Sequence, residues 1–415
     1  MDKQLERMRV NAERFFLDFA ALSQIGATGD GGVHRPALTE NDLRAREWLA
    51  ARFSAAGLEY RMDPAGNQSG LLRCEVDGAP SFLIGSHLDS VPNGGRFDGA
   101  LGIVAALEVA RVIQEQQIRL PVNLEVINFT DEEGTLVGLL GSRALSGALS
   151  ADDLGNPSCG RAVLEERLAA AGLDIDRLVE ARRPPGSVSG YLELHIEQGE
   201  RLEQAGVPIG IVTAITGLCG YRLAFIGRAD HSGTTPLPDR LDAGLGASGF
   251  LLAAREQVLT DFPGCVVNVG RMDFAPGASN IVPGRVSLAL EFRSQGPRQL
   301  REMEMALLKT ARGQANRYNL QIDSQHLYTE APAQMAAQSQ MALAAAAENM
   351  QMRHTSLASF AIHDAQSMAR ICPAGMVFVP SVDGASHAPR EFTREEDMLR
   401  GANVLLQAVL RMAHG

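Results

Sequence analysis

Histidine and carboxylate side chains are concentrated in four short segments of the chain. The first runs Gly85-Ser86-His87-Leu88-Asp89-Ser90 and continues to Asp98-Gly99. His87 offers an imidazole nitrogen, and Asp89 stands where a carboxylate could fix its tautomer, as partners of metal-bound histidines do. Asp98 opens the next helical run, as a ligand or as an N-cap. The second segment is Thr130-Asp131-Glu132-Glu133-Gly134. Successive carboxylates raise one another's pKa, and a cation relieves that repulsion. One glutamate can then ligate while its neighbour moves a proton; a solvated acidic turn is the plain alternative. The third is His195-Ile196-Glu197-Gln198-Gly199; in a strand, Glu193, His195 and Glu197 share one face, which an exposed polar surface would also explain. The fourth runs from Asp383 to Glu391 and contains His387. Taken together, these nitrogen and oxygen donors suit Zn²⁺, Mn²⁺, Co²⁺ or Ni²⁺. Histidines with bridging carboxylates favour a two-metal hydrolytic site over a single structural ion.

Each segment follows a predicted strand. Residues 81–85, 122–129, 191–196 and 376–379 read as buried strands, and 99–116 as a helix. Strand, helix, strand at this spacing signals an α/β sheet, in which ligands bind beyond the carboxyl ends of the strands. Side chains far apart in sequence can therefore converge there. The first ~60 residues read as helical, with Phe15, Phe16, Phe19 and Leu22 on one face and Leu43, Trp48, Leu49 and Phe53 in a second amphipathic run. Residues 335–350 also read as helix. Between 214 and 329 the texture changes. Strand candidates at 221–226, 266–269 and 286–292 alternate with helical runs at 242–258 and 297–316, which predicts a small inserted α+β unit.

The rest of the sequence removes competing classes. In 415 residues, 38 Lys+Arg stand against 49 Asp+Glu, a net charge of −11 with no segregated basic block, which argues against nucleic acid. No segment approaches the ~20 apolar residues of a membrane helix. Residues 1–9 carry charges of both signs and lack the apolar core of a secretory signal, so the expected location is the cytoplasm. The five cysteines include no C-x-x-C pair, which excludes a disulfide framework and a thiolate zinc site as expectations. Gly244 to Gly249 matches G-x-G-x-x-G but has no strand before it, so it reads as a decoy inside a helix. No G-x-S-x-G, H-E-x-x-H or phosphate-binding loop occurs. His34, His326, His354 and His414 have no convergent company.

The motifs GSHLDSVPNGGRFDG, TDEEG, ELHIEQG, GRADHSGTTP, GASNIVPG and SHAPRE occur in order between about residue 80 and 391. They resemble the hydantoinase/carbamoylase-type amidases of the M20 metallopeptidase superfamily, which include N-carbamoyl-L-amino-acid amidohydrolases, allantoate amidohydrolases and β-ureidopropionases. The resemblance implies an α/β fold: a discontinuous catalytic domain (1–213 and 330–415) with a mixed sheet flanked by helices, and an inserted α+β lid and dimerisation domain (214–329). It implies that Asp98 bridges two divalent metals, His87 and His195 complete one site, and Glu133 and His387 complete the other. Glu132 becomes the general base. His231 becomes a donor to the oxyanion, reaching the partner subunit's site of a homodimer. Gln198, Asn280 and Arg293 become substrate contacts, Arg293 offering a fork for a carboxylate. The implied reaction is cleavage of a linear C–N amide bond in a small anionic ureido or acyl amino acid, above all an N-carbamoyl-L-amino acid. Allantoate, β-ureido acids and other N-acyl amino acids are the alternatives, and a silent M20-like binding protein is the rival from another class. Two departures fall near the pocket: Ile362 precedes His363-Asp364 where the family often has Gly, and Leu237 stands where Met is common.

Overall fold

The structure, a computed structural model, describes residues 3–414; Met1, Asp2 and Gly415 lie outside them, as do the side chains of Lys3 and His414. Two compact units emerge: Met1–Thr213 with Met335–Gly415, and Ala214–Gln334. Among the described residues no helix is long and apolar enough to cross a membrane.

In the first unit four strands run parallel, in the order Asn123–Phe129, Ser81–His87, Val188–Ile196 and Ala374–Val379. Antiparallel strands extend them: Gln68–Leu72 and Glu59–Met62 on one side, Ile209–Ile215 on the other, giving a mixed sheet flanked by helices. Register decides what converges. His87 pairs with Phe129, the residue before Thr130, and Phe378 pairs with His195, so all four parallel strands end along one line.

These strands are buried along nearly their whole length because both faces are covered. Ser81–His87 is buried throughout. One face packs on helices Ala12–Ser23, Glu40–Ala55, Ala100–Glu115 and Glu395–His414 through Phe15, Phe53, Leu107, Val109 and Leu405. A second cluster, including Leu38, Leu136, Leu140 and Leu164, gathers the loop after Phe129 and its short helices. The central strands pack too closely for a side chain at Gly85, where a Cβ would lie 1.8 Å from the Ile127 carbonyl oxygen. Inside the core a charged network ties two helices together. Arg14 grips Glu108 through Nε and Nη2, both at 2.8 Å, and Arg111 reaches Asp18 at 2.5 Å.

The second unit is a four-stranded antiparallel sheet in the order Gln321–Glu330, Gly217–Ile226, Arg285–Ser294, Val266–Ala275. It packs on helices Ala243–Asp261 and Pro297–Arg317 around Phe225, Phe250, Leu288, Phe292 and Leu307. Its two ends pair antiparallel, Ala333 with Ile215 and Gln334 with Ala214. Gly244 to Gly249 lies within the first of these helices.

Candidate metal centre

Five side chains, two at the ends of parallel strands and three from loops, meet at the carboxyl end of the sheet. Asp98 Oδ1 lies 3.0 Å from His195 Nε2 and 3.4 Å from His87 Nε2. Its other oxygen, Oδ2, lies 3.6 Å from His387 Nε2, which is 3.3 Å from Glu133 Oε2. Two donor groups result, His87–Asp98–His195 and Asp98–Glu133–His387, each with its ligand atoms within 4.8 Å of one another. Asp98 belongs to both. Glu132 Oε2 approaches His87 Nε2 at 3.6 Å without belonging to either group. His87, His195, Asp98 and Glu132 are buried, whereas the His387 side chain is 49% exposed and marks the mouth.

The donors fit divalent cations on a specific ground. His87 Nδ1 is held by the Asp89 carbonyl at 3.0 Å and His195 Nδ1 by the Ile196 carbonyl at 2.9 Å. A carbonyl only accepts, so each Nδ1 carries the proton and each Nε2 turns a lone pair toward the Asp98 carboxylate. His87 Nε2 is buried with no hydrogen-bond partner. Lone pairs aimed at an anion are stable only with a cation or a proton between them. Electrostatics agree. Burial, then the charges of Glu133, Asp364 and Asp98, hold Glu132 well above the usual carboxylate range against the pull of His87. Burial, then Asp98, does the same to Glu133. Burial alone would raise Asp98, but His195 and His87 hold it well below that range. The cluster is short of positive charge.

Several supports differ from the sequence reading. The Asp89 carboxylate stands 3.8 Å from His87 Nδ1 and accepts the backbone N–H groups of Glu132 (3.3 Å) and Glu133 (3.2 Å), while the hydrogen bond that holds the ring goes to the Asp89 carbonyl. Asp131 turns away from the centre at φ 54° and accepts from the N–H groups of Leu136, Val137 and Gly138 and from the Thr135 hydroxyl. Burial, with Asp89 adding to it, pushes Asp131 up to about 7. Thus two of the three acidic residues face the centre, and the third folds their loop. Gly99 rather than Asp98 is the cap of helix Ala100–Glu115, leaving the Asp98 carboxylate free to face the histidines. The face of Glu193, His195 and Glu197 is buried, not exposed. Glu193 accepts from Ser86, Tyr191 and the Ala365 N–H, and Glu197 caps Arg201–Ala205 through the N–H groups of Arg201 and Leu202. Gln198 Nε2 donates to Asp98 Oδ2 at 2.8 Å. Gln198 and His387, like Asp131, adopt positive φ (56° and 54°), the kind of backbone strain that gathers at functional sites.

Three residues had no role in the sequence reading: Arg35 was not named, and Glu391 and His363 were named without one. Arg35, buried, reaches the Leu88 carbonyl at 2.6 Å and braces the turn that carries His87. Glu391 accepts the N–H groups of Phe97 and Asp98. The buried His363 stands 4.6 Å from His195 between ring centroids and contacts Ser359 Oγ at 2.9 Å. Its signal was position: it follows the strand His354–Ser359, but the sequence HTSLAS has no apolar run to announce a strand.

Gly99 tests how tightly the centre is built. Its φ is 62°, and a Cβ there would lie 2.4 Å from His87 Cε1. Gly99→Ala is expected to displace the ring and lower kcat/KM by about 100-fold, the usual cost of misplacing a reacting group by ~1 Å. Wild-type kinetics in a folded variant would show that the ring yields without consequence.

His231, Asn280 and Arg293 lie in the second unit. His231 is exposed, and its Nδ1 accepts the N–H groups of Gly233 (3.1 Å) and Thr234 (3.2 Å), so the proton sits on Nε2. The Asn280 carbonyl accepts the Ser232 N–H at 3.0 Å, which keeps Asn280 beside this turn. Arg293 lies on the strand Arg285–Ser294, its Nε and Nη2 on Glu291 Oε1 at 2.9 and 2.8 Å. Glu291, two residues away on the same strand face, had no place in the sequence reading.

A mixed sheet with histidines and carboxylates beyond its parallel strands defines the class: an α/β protein with a candidate metal centre. Residues 83–411 match peptidase family M20/M25/M40, and the chain belongs to that family. It is 37% identical to an N-carbamoyl-L-amino acid amidohydrolase of Geobacillus stearothermophilus, over 98% of this chain and 100% of that one. It is 31% identical to the ureidoglycolate hydrolase of Arabidopsis thaliana, over 94% of this chain and 84% of that protein. The crystal structure of an amidase of the hydantoinase/carbamoylase family from Burkholderia multivorans superimposes with a TM-score of 0.90 at 33% identity, over 98% of this chain and 99% of that one. The chain is a hydrolase of this family, and the relatives it matches along nearly its whole length are named amidohydrolases and ureidoglycolate hydrolases.

Proposed function

We propose that the chain is a binuclear metal-dependent amidohydrolase that cleaves N-carbamoyl-L-amino acids to the amino acid, CO₂ and ammonia. The observation that carries this reading is Asp98, with one carboxylate oxygen facing His87 and His195 and the other facing His387 beside Glu133. His87, Asp98 and His195 would hold one cation, and Asp98, Glu133 and His387 the other; Zn²⁺, Mn²⁺, Co²⁺ and Ni²⁺ all suit these donors. When bound, two such ions polarise a carbonyl and acidify an attacking water. Glu132, buried but outside both donor groups, takes the proton from water and returns it to the leaving nitrogen. Gln198, now donating to Asp98, turns to the ureido group. His231 offers Nε2–H to the developing oxyanion, and Asn280 beside it offers an amide. Arg293 takes the substrate carboxylate in place of Glu291, which occupies its fork here.

The enzyme acts as a homodimer in this reading. Helix Ala243–Asp261 exposes Leu245, Leu252 and Leu259, seven residues apart and so on one stripe, and the edge strand Val266–Ala275 pairs on one side only among the described residues. A second copy covers both, since long apolar stripes and open strand edges invite association.

Ammonia release across a panel of ureido and acyl amino acids, with Mn²⁺, Co²⁺ or Zn²⁺ added, tests the substrate assignment. N-Carbamoyl-L-amino acids are expected to turn over at least ~10-fold faster, by kcat/KM, than allantoate, ureidoglycolate, β-ureido acids or N-acyl amino acids, since a site built to hydrogen-bond one substrate's groups rejects analogues that lack them. No ammonia from any ureido acid would end this reading and favour a silent binding protein.

A further inference from the structure

We infer that Glu391 is the positioning residue that makes Asp98 a bridge, and that without it the second cation site weakens while the first persists. The inference rests on the binuclear reading above. Asp98 lies outside the sheet and just before helix Ala100–Glu115, whose first turn ties it only by its carbonyls: Asp98 O accepts the Ala100 N–H at 2.6 Å and Phe97 O the Leu101 N–H at 3.0 Å. The N–H groups of the same two residues are held from 294 and 293 positions further along the chain. Glu391 is 2% exposed, and its Oε1 accepts the backbone N–H groups of Phe97 (2.8 Å) and Asp98 (3.1 Å). Those two bonds fix where the Asp98 side chain leaves the backbone. The second oxygen, Oε2, lies 3.1 Å from the Ser386 hydroxyl, which is itself 3.0 Å from Asp98 Oδ2. Gln198 Nε2 converges on the same Oδ2. Thus Glu391 holds the Asp98 backbone directly, and the Ser386 hydroxyl, whose single proton serves one carboxylate at a time, stands between Glu391 Oε2 and Asp98 Oδ2, leaving Oδ1 to the two histidines. The fit around Glu391 is close, for a Cβ on Gly95 would lie 1.9 Å from its Oε1.

The two halves depend on this anchor unequally. His87 and His195 stand at strand ends, buried, with Nδ1 locked by carbonyls, so the first half keeps two fixed donors whatever Asp98 does. The second half has Glu133, a half-exposed His387 and Asp98 Oδ2, and that oxygen is the one Ser386 and Gln198 hold.

Titration of metal-free protein with Co²⁺ or Zn²⁺, following heat and the Co²⁺ visible spectrum, reads each equivalent separately, and the melting temperature without metal reports folding. Glu391→Ala is expected to leave the first equivalent unchanged and weaken the second by about 10–100-fold, the usual cost of removing a group that orients a ligand. Glu391→Gln, whose carbonyl still accepts from Phe97 and Asp98, should fall between Ala and wild type. Ser386→Ala should weaken the second equivalent alone. Wild-type affinity for both ions in folded Glu391→Ala, or an equal loss at both, overturns the proposal, and Ser386→Ala decides the matter if Glu391→Ala does not fold. A wild type that takes up one ion only overturns the binuclear reading itself, and this inference with it.

Discussion

Glu132→Gln is expected to lower kcat by about 10²–10⁴-fold while leaving KM and metal content near wild type. The amide keeps the size and the backbone contact to Asp89, but it neither takes a proton from water nor returns one to nitrogen. Burial and the neighbouring charges of Glu133, Asp364 and Asp98 raise the affinity of Glu132 for a proton, against the pull of His87, as a group that must pick one up in mid-reaction requires. Because Glu132 belongs to neither donor group, losing its charge should not empty the centre. Steady-state kinetics beside metal analysis of the same sample check this. A metal-loaded variant with undiminished turnover would remove Glu132 from the mechanism and leave the centre without a base.

What was legible in the sequence follows from burial. The apolar residues of strands covered on both faces announced 81–85, 122–129, 191–196 and 376–379, and the residues at and after their ends were placed at one sheet edge. That logic brought His87, Asp98, Glu132, Glu133, His195 and His387 together. Two strands with an open face gave no such signal. Gln321–Glu330 is exposed along most of its length and rich in polar residues, and Glu59–Met62 is exposed throughout, so neither carries an apolar run. Within the centre, the division of labour among Asp131, Glu132 and Glu133 depends on a left-handed φ at Asp131, which composition cannot reveal. Equally, Asp89 serving the N–H groups of 132 and 133, and Glu391 serving those of 97 and 98, are long-range pairings between segments that carry no local pattern. The departure at Ile362 sits beside His363, whose ring packs on His195.

Mixing His231→Ala subunits with Glu132→Gln subunits is expected to restore activity that neither variant has alone. The His231 turn fixes the imidazole as an Nε2–H donor, because Nδ1 already accepts two backbone N–H groups. Removing one oxyanion donor of this kind costs about 10²–10³-fold in kcat, so His231→Ala homodimers should be nearly inactive, as should Glu132→Gln homodimers for a different reason. If His231 serves the partner's centre, a mixed dimer has one site with both defects and one with neither. A random equal mixture of two-fold dimers then recovers about a quarter of wild-type sites. Native mass spectrometry of the mixture must confirm that heterodimers form, and the kcat of the mixture must exceed the mean of the two parents. If His231 instead served its own subunit, every site would retain one defect, and heterodimers would be as inactive as the parents. That result would keep the oxyanion role but confine it to one chain, and it would leave the leucine stripe Leu245, Leu252 and Leu259 to explain assembly without catalysis.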